Sequence, residues 1–139
     1  MVMQYYKTHA RKLPGTHWPR LSKKASSIYK EITSKTKRRP YIRSAYFNKQ
    51  KVFLGLFWQH LHEKNLHDKA RRIAYFPCAI ELIRKTRQEP ISKENPNRKG
   101  EMVHRFAGST PDNEIFFVQI KEDRHTHHKW FISVFPLGN

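Results

Sequence analysis

The amino-acid order predicts an α+β domain: N-terminal helices packed on a small antiparallel β-sheet, three or four strands in a meander. Three observations predict it. Apolar residues recur at helical spacing across residues 51–87. After Pro90, alternating apolar and polar residues fill three separate runs. Short turns join those runs, which favours antiparallel pairing. The chain's 139 residues suit one domain.

Residues 1–27 read as irregular, because Pro14, Gly15 and Pro19 punctuate them. A short helix is expected over 26–36, with Ile28 and Ile32 one turn apart. Lys35, Lys37, Arg38 and Arg39 then form an exposed basic loop closed by Pro40. Residues 41–47 read as a short strand or an extended approach to the next helix. That helix is expected over 51–64, because Phe53, Leu56, Phe57, His60 and Leu61 fall at i, i+3, i+4, i+7 and i+8. Asn65 is expected to stop it and Asp68 to cap a second helix. Pro77 must interrupt or restart that helix, and proline suits the first position of a new one. The segment 77–87 then buries Ala79, Ile80 and Ile83. Residues 92–100, broken by Pro96 and Gly100, read as a loop. Strands are expected over 101–107, 114–121 and 129–135.

Charge divides the chain differently. Residues 1–51 hold fourteen Lys and Arg against one acid, Glu31, whereas residues 52–139 hold fourteen against ten. The formal net charge is +17. We therefore expect a basic N-terminal segment, residues 1–50, and an α+β domain, residues 51–139. A segment this positive repels itself unless a polyanion neutralises it, and nucleic acid is the default polyanion. The candidate nucleic-acid contacts are Lys35, Lys37, Arg38, Arg39, Arg43, Arg71 and Arg72, with Trp18, Tyr41 or Tyr46 available to stack bases. A solubilising tail or an acidic protein partner would also account for the charge.

Several classes are excluded. No apolar run approaches the roughly 18 residues of a membrane helix. The basic start lacks the apolar stretch of a secretory signal. A single cysteine, Cys78, rules out an internal disulfide and a cysteine-based zinc site, and suits a reducing cytoplasm. His125, His127 and His128 lack a zinc spacing, so no metal is expected. No glycine-rich phosphate loop, nucleophile elbow or metalloprotease motif is present, and no cofactor is expected.

Five residues stand out as candidates for chemistry. Ser133 is a small hydroxyl in an otherwise apolar strand. His104 and Arg105 are adjacent in a strand and so face opposite sides. His60 interrupts an apolar helix face. Lys121 ends the middle strand, and it could hold a negative phosphoryl group, as could Lys129.

The string Arg72-Ile73-Ala74-Tyr75-Phe76 leads into Ala79-Ile80-Glu81-Leu82-Ile83 and Pro90. His104-Arg105-Phe106, the strand ending Gln119-Ile120-Lys121, and the closing Lys129-Trp130-Phe131-Ile132-Ser133-Val134-Phe135-Pro136 follow. Over residues 52–136 this resembles the barnase–EndoU–colicin–RelE-like nucleases, especially their phage and mobile-element branches. The resemblance implies a nuclease-like domain with helices against an antiparallel sheet. It also implies metal-independent RNA cleavage by attack of a ribose 2′-hydroxyl on the adjacent phosphate. Ser133 matches the hydroxyl of the last strand, Arg105 and Lys121 the strand cations, and His104 or His60 the proton-transfer group. No Glu–His pair is evident, so a RelE-like site that relies on cations stays open.

The expected function is thus a cytoplasmic endoribonuclease, a toxin acting on tRNA or mRNA and restrained by an acidic antitoxin or immunity protein. The alternatives are a non-catalytic nucleic-acid-binding protein of a mobile element, or a basic partner of an acidic protein.

Overall fold

The computed structural model describes residues 4–138. Eleven elements follow in order: β1 (Tyr5–Lys7), α1 (Trp18–Ser34), β2 (Tyr41–Ser44), β3 (Gln50–Phe53), α2 (Gly55–His62), α3 (Leu66–Ile73), α4 (Phe76–Lys85), β4 (Ile91–Glu94), β5 (Glu101–Ser109), β6 (Ile115–Asp123) and β7 (Lys129–Pro136).

The strands form one curled sheet, a half-barrel, in the order β1-β5-β6-β7-β3-β2, with β4 also on β5. This corrects the expected architecture. The antiparallel meander β5–β6–β7 is present, but it is the centre of a seven-stranded mixed sheet rather than the whole of a small one. β1 runs parallel to β5, and β3 runs parallel to β7. The fold is therefore mixed α/β with four helices. The four added strands are three or four residues long. β2 falls within residues 41–47, read as a short strand or an extended approach to a helix. For β1, β3 and β4, alternation over so few residues leaves no readable period, and the pairings of β1 with β5 and of β3 with β7 join segments remote along the chain.

The basic N-terminal third joins the same sheet and core. β1 pairs Tyr5, Tyr6 and Lys7 with Ala107, Gly108 and Ser109. Glu81 on α4 then holds the chain after β1. It accepts from the amides of His9 and Ala10 at 2.8 Å each, and from the Tyr6 hydroxyl at 2.8 Å. Burial alone would raise the Glu81 pKa, but these donors outweigh it and hold the carboxylate below its usual range.

α1 starts at Trp18, well before the expected helix, because Pro19 sits in its first turn, where a missing N–H costs nothing. Leu21, Ala25, Ile28 and Ile32 then repeat at 4, 3 and 4 residues and face the core. The expected helix over 51–64 divides. Residues up to Phe53 are strand, with Val52 and Leu54 buried, and Gly55 opens α2. Phe53 fits helical spacing yet pairs across the sheet with Trp130. Asn65 stops nothing: it caps α3, its side chain accepting from the Asp68 amide at 2.8 Å. Pro77 lies in the first turn of α4, as expected. Residues 92–94, expected in a loop, belong to β4.

The helices cover one face of the sheet. Phe106, Phe116, Val118, Ile120, Phe131 and Val134 point into that core and are at most 3 % exposed. Phe57 of α2 stacks on Phe131 of β7 with ring centroids 4.5 Å apart and planes 8° from parallel. Phe76 also stacks on Phe57, with centroids 5.5 Å apart. Gly108 lets α4 close on β5, because a Cβ there would press into the Phe116 ring and Leu82.

Gly108→Ala should therefore destabilise the protein by about 1–3 kcal/mol through overpacking, measured by urea unfolding. Glu81→Gln weakens a carboxylate acceptor and should cost about 1.5–3 kcal/mol. In hydrogen exchange the amides of His9 and Ala10 should lose protection, whereas core amides of β6 should follow global stability only.

Candidate active-site cleft

β3 pairs with β7 only through Phe53 and Trp130, so the rest of the β7 edge is open. α2, continuing from β3, lies along that edge, and the Phe57–Phe131 stack fixes it there. A cleft of about 350 Å³ results between the ends of α2 and α3 and the solvent face of β5–β6–β7. His60, Glu63 and Lys64 contribute to it from the end of α2, Arg72 from α3, and Arg105, Gln119 and Ser133 from three adjacent strands.

A bulge sets the strand side. Gln119 pairs with Ser133, but its neighbour Ile120 pairs with Phe131, which leaves Ile132 as the extra residue on β7. Bulges bend the strand and re-aim the side chains around them. Here the Ser133 hydroxyl donates to the Gln119 side-chain oxygen at 2.9 Å. The hydroxyl is partly buried and held in a fixed direction.

The cations differ in what they touch. Asp68 accepts from Arg72 at 3.1 Å and from Arg71 at 2.9 Å. Burial would raise its pKa, but the two guanidiniums outweigh that and hold it below its usual range. Arg72 is thereby positioned, with its guanidinium 5.5 Å from the centroid of Phe135. Arg105 also lies over Phe135, at 5.5 Å, and over Phe117, at 6.0 Å. Among the described residues, neither Arg105 nor Lys64 is ion-paired, so their charge is free for an anion.

Of the five residues expected to carry chemistry, His60, Arg105 and Ser133 share this cleft. His104 does not. It is 8 % exposed, on the core face, and its ring nitrogens bond Ser92 Oγ at 2.6 Å and Glu122 Oε1 at 2.8 Å. Strand alternation decides this: Arg105 at the surface requires His104 inside. Lys121 lies two residues beyond Gln119 on the solvent face, outside the cleft. Its amine is 3.7 Å from Glu101 and 5.1 Å from the Trp130 centroid.

Lys129, which the sequence offered either as a solvated surface cation or as a group that could hold a phosphoryl, is neither at the surface nor in the cleft. Lys129 is 2 % exposed and bonds Gln50 at 2.6 Å and the His127 carbonyl at 2.8 Å, with Glu122 at 3.3 Å. Ser92, His104, Glu122 and Lys129 thus form a structural network that ties β4, β5, β6 and β7 together, and Gln50 adds β3. Burial would raise the Glu122 pKa, but His104 and Lys129 outweigh it and keep it low.

Of the residues expected to contact nucleic acid, Arg72 joins the cleft. Arg71 turns to Asp68 and the Gly138 carbonyl, 3.5 Å away. Lys37, Arg38 and Arg39 are exposed before β2, with Arg39 4.7 Å from the Phe53 centroid. Lys35 and Arg43 line a second concavity, away from the cleft. Tyr46 is packed on Phe47 and Phe106 rather than free to stack a base. Sequence reasoning missed Glu63, Lys64 and Gln119. His60, Glu63 and Lys64 at i, i+3 and i+4 gave the only available signal, a polar cluster on one face of the helix expected over 51–64, although α2 itself ends at His62.

Among the described residues, no group of three His, Cys, Asp or Glu is disposed to hold a metal ion. Their one cysteine, Cys78, is buried; burial pushes its thiol up to about 11, which makes it a poor nucleophile. No helix among them is long and apolar enough to cross a membrane. Set against protein-family models, curated proteins and solved structures, the chain shows no significant match to any.

The low Glu122 pKa fixes the sign of a pH effect. A depressed carboxylate contributes stability above its unfolded-state pKa, and that stability is lost as pH falls through the folded-state value. Wild-type stability should fall on acidification below about pH 4.3, the ordinary glutamate value. Glu122→Gln should remove about 3 kcal/mol at pH 7, since it leaves Lys129 buried without its carboxylate. It should also shallow the acid limb. Urea unfolding between pH 3 and pH 7 measures both.

Proposed function

We propose that the chain is an endoribonuclease whose site is the α2–β7 cleft, cleaving RNA without a metal through a ribose 2′-hydroxyl. One observation carries the reading. His60, Arg72, Arg105 and Ser133, from four elements, converge on one concavity with Glu63, Lys64 and Gln119. That set offers what the reaction needs: groups that exchange protons and cations that hold phosphate. The resemblance to the barnase–EndoU–colicin–RelE-like nucleases supports the same reading.

In this reaction the 2′-oxygen loses its proton to a base and bonds to phosphorus. The bond from phosphorus to the 5′-oxygen breaks, and an acid protonates the leaving oxygen. The products are a 2′,3′-cyclic phosphate and a 5′-hydroxyl. His60 in the last turn of α2 and Glu63, the residue that caps its C-terminal end, are the proton-transfer groups. Arg105, Arg72 and Lys64 meet the phosphate oxygens, whose negative charge grows in the transition state. Ser133, aimed by Gln119, orients the ribose or the phosphate. The substrate is tRNA or mRNA, which places the protein in the cytoplasm. It acts there as a toxin, and an acidic antitoxin or immunity protein would neutralise its cations.

Purified protein should cleave total cellular RNA in EDTA and leave cyclic-phosphate and 5′-hydroxyl ends, read by end-group analysis. Arg105→Ala and His60→Ala should each lower kcat by about 10²–10³-fold, as loss of one charge-stabilising or proton-transfer group does. Intact RNA with wild-type protein, or full cleavage by both variants, refutes the assignment.

A further inference from the structure

The cleavage reading leaves a second cationic concavity unused. It measures about 660 Å³ and lies where the C-terminal ends of α1 and α4 meet β2. Lys35, Arg43, Lys49, Arg84, Lys85 and Arg87 line it, beside Tyr41, and no carboxylate does. It shares no lining residue with the first cleft.

Helix ends explain part of this charge. The last carbonyls of a helix are partly negative and favour cations, and Arg84 and Lys85 occupy the last turn of α4, Lys35 the C-cap of α1. Arg43, Lys49 and Arg87 have no such role. Among the described residues, Lys35 alone of the six reaches a carboxylate, Glu31, at 3.8 Å across exposed surface. Arg43 is exposed and gives one N–H to the Lys49 carbonyl at 3.0 Å. Six like charges around one hollow repel each other, and the low-dielectric walls focus their field on whatever enters. A ligand with spaced negative charges relieves that repulsion and releases its own counterions. Tyr41 adds an aromatic face, with Lys51 4.6 Å and Arg43 5.5 Å from its centroid. A planar ring among cations suits a nucleobase beside its phosphates, a pairing that an acidic peptide does not offer.

We propose that this groove binds the backbone of an RNA strand, with an unpaired base against Tyr41, as a site separate from the cleavage cleft. Successive phosphates meet Arg43, Arg84 and Arg87, and a folded RNA with a loop presents both features at once. The inference goes beyond the cleavage reading and stands whether or not the first cleft is catalytic.

The test measures binding of a hairpin RNA by the His60→Ala protein, whose cleavage is slowed, over a range of salt. Adding Arg43→Ala, Arg84→Ala and Arg87→Ala together should weaken binding about tenfold or more and reduce the salt slope by about 2–3, one for each phosphate no longer neutralised. Tyr41→Ala should weaken the hairpin more than a fully paired duplex. Lys23→Ala, Lys24→Ala and Lys30→Ala together remove the same charge from exposed α1 positions outside the groove, and thermal unfolding checks that every variant is folded. An equal loss in both triple variants overturns the proposal, because net charge alone would then explain binding. So does polyglutamate that competes as well as RNA, which would point to an acidic protein. Binding lost from the groove variant while wild-type protein leaves RNA uncut refutes the cleavage reading alone. Unchanged binding by the groove variant with active cleavage by wild type refutes the groove alone.

Discussion

The contact between Phe57 and Phe131 is the constraint on which the site depends. β3 holds only the first part of β7, so nothing in the hydrogen-bond ladder fixes what lies beside the rest. The stacked rings, 4.5 Å apart and backed by Phe76, settle it by holding α2 along the open edge. Aromatic pairs of this kind add about 0.5–1.5 kcal/mol beyond the area they bury. They also fix the direction of the helix, and so where its polar end points. His60, and Glu63 and Lys64 just past the helix end, reach over the sheet because Phe57 and Leu61 of α2 are buried.

Two polar systems on opposite faces of the sheet do different work. On the core face, Glu122 and Lys129 neutralise one another, His104 bonds Glu122, and Gln50 and Ser92 complete the network. Buried charges need such closure, because an unpaired one costs several kcal/mol. On the solvent face, Arg105 keeps its charge and leans on the rings of Phe117 and Phe135. The first arrangement stabilises the sheet. The second leaves a cation oriented and unneutralised, the state in which it holds an incoming anion. The basic N-terminal third is likewise built in: β1 lies on β5 and Glu81 grips the chain after it, so its charge is displayed on a rigid frame.

How much was legible follows from the range of each signal. β5, β6 and β7 were readable because eight or nine alternating residues carry a period of their own. α4 was readable from Pro77 and the apolar face behind it. β3 was hidden because Phe53 satisfies a helical spacing that only its partner Trp130 contradicts. α1 was half hidden by Pro19, which marks a helix start as readily as a break.

Local order alone determined the charge asymmetry, the three long strands, the helical stretch before them, and the candidacy of Ser133, Arg105 and His60. These depend on composition or on neighbours a few residues away. Tertiary structure decided the seven-stranded mixed sheet, the burial of His104 and Lys129, and the meeting of α2 with Arg105 and Ser133. Each of those joins residues that are remote along the chain, through parallel pairing, face selection and ring stacking. Such energies appear only when two distant surfaces are brought together.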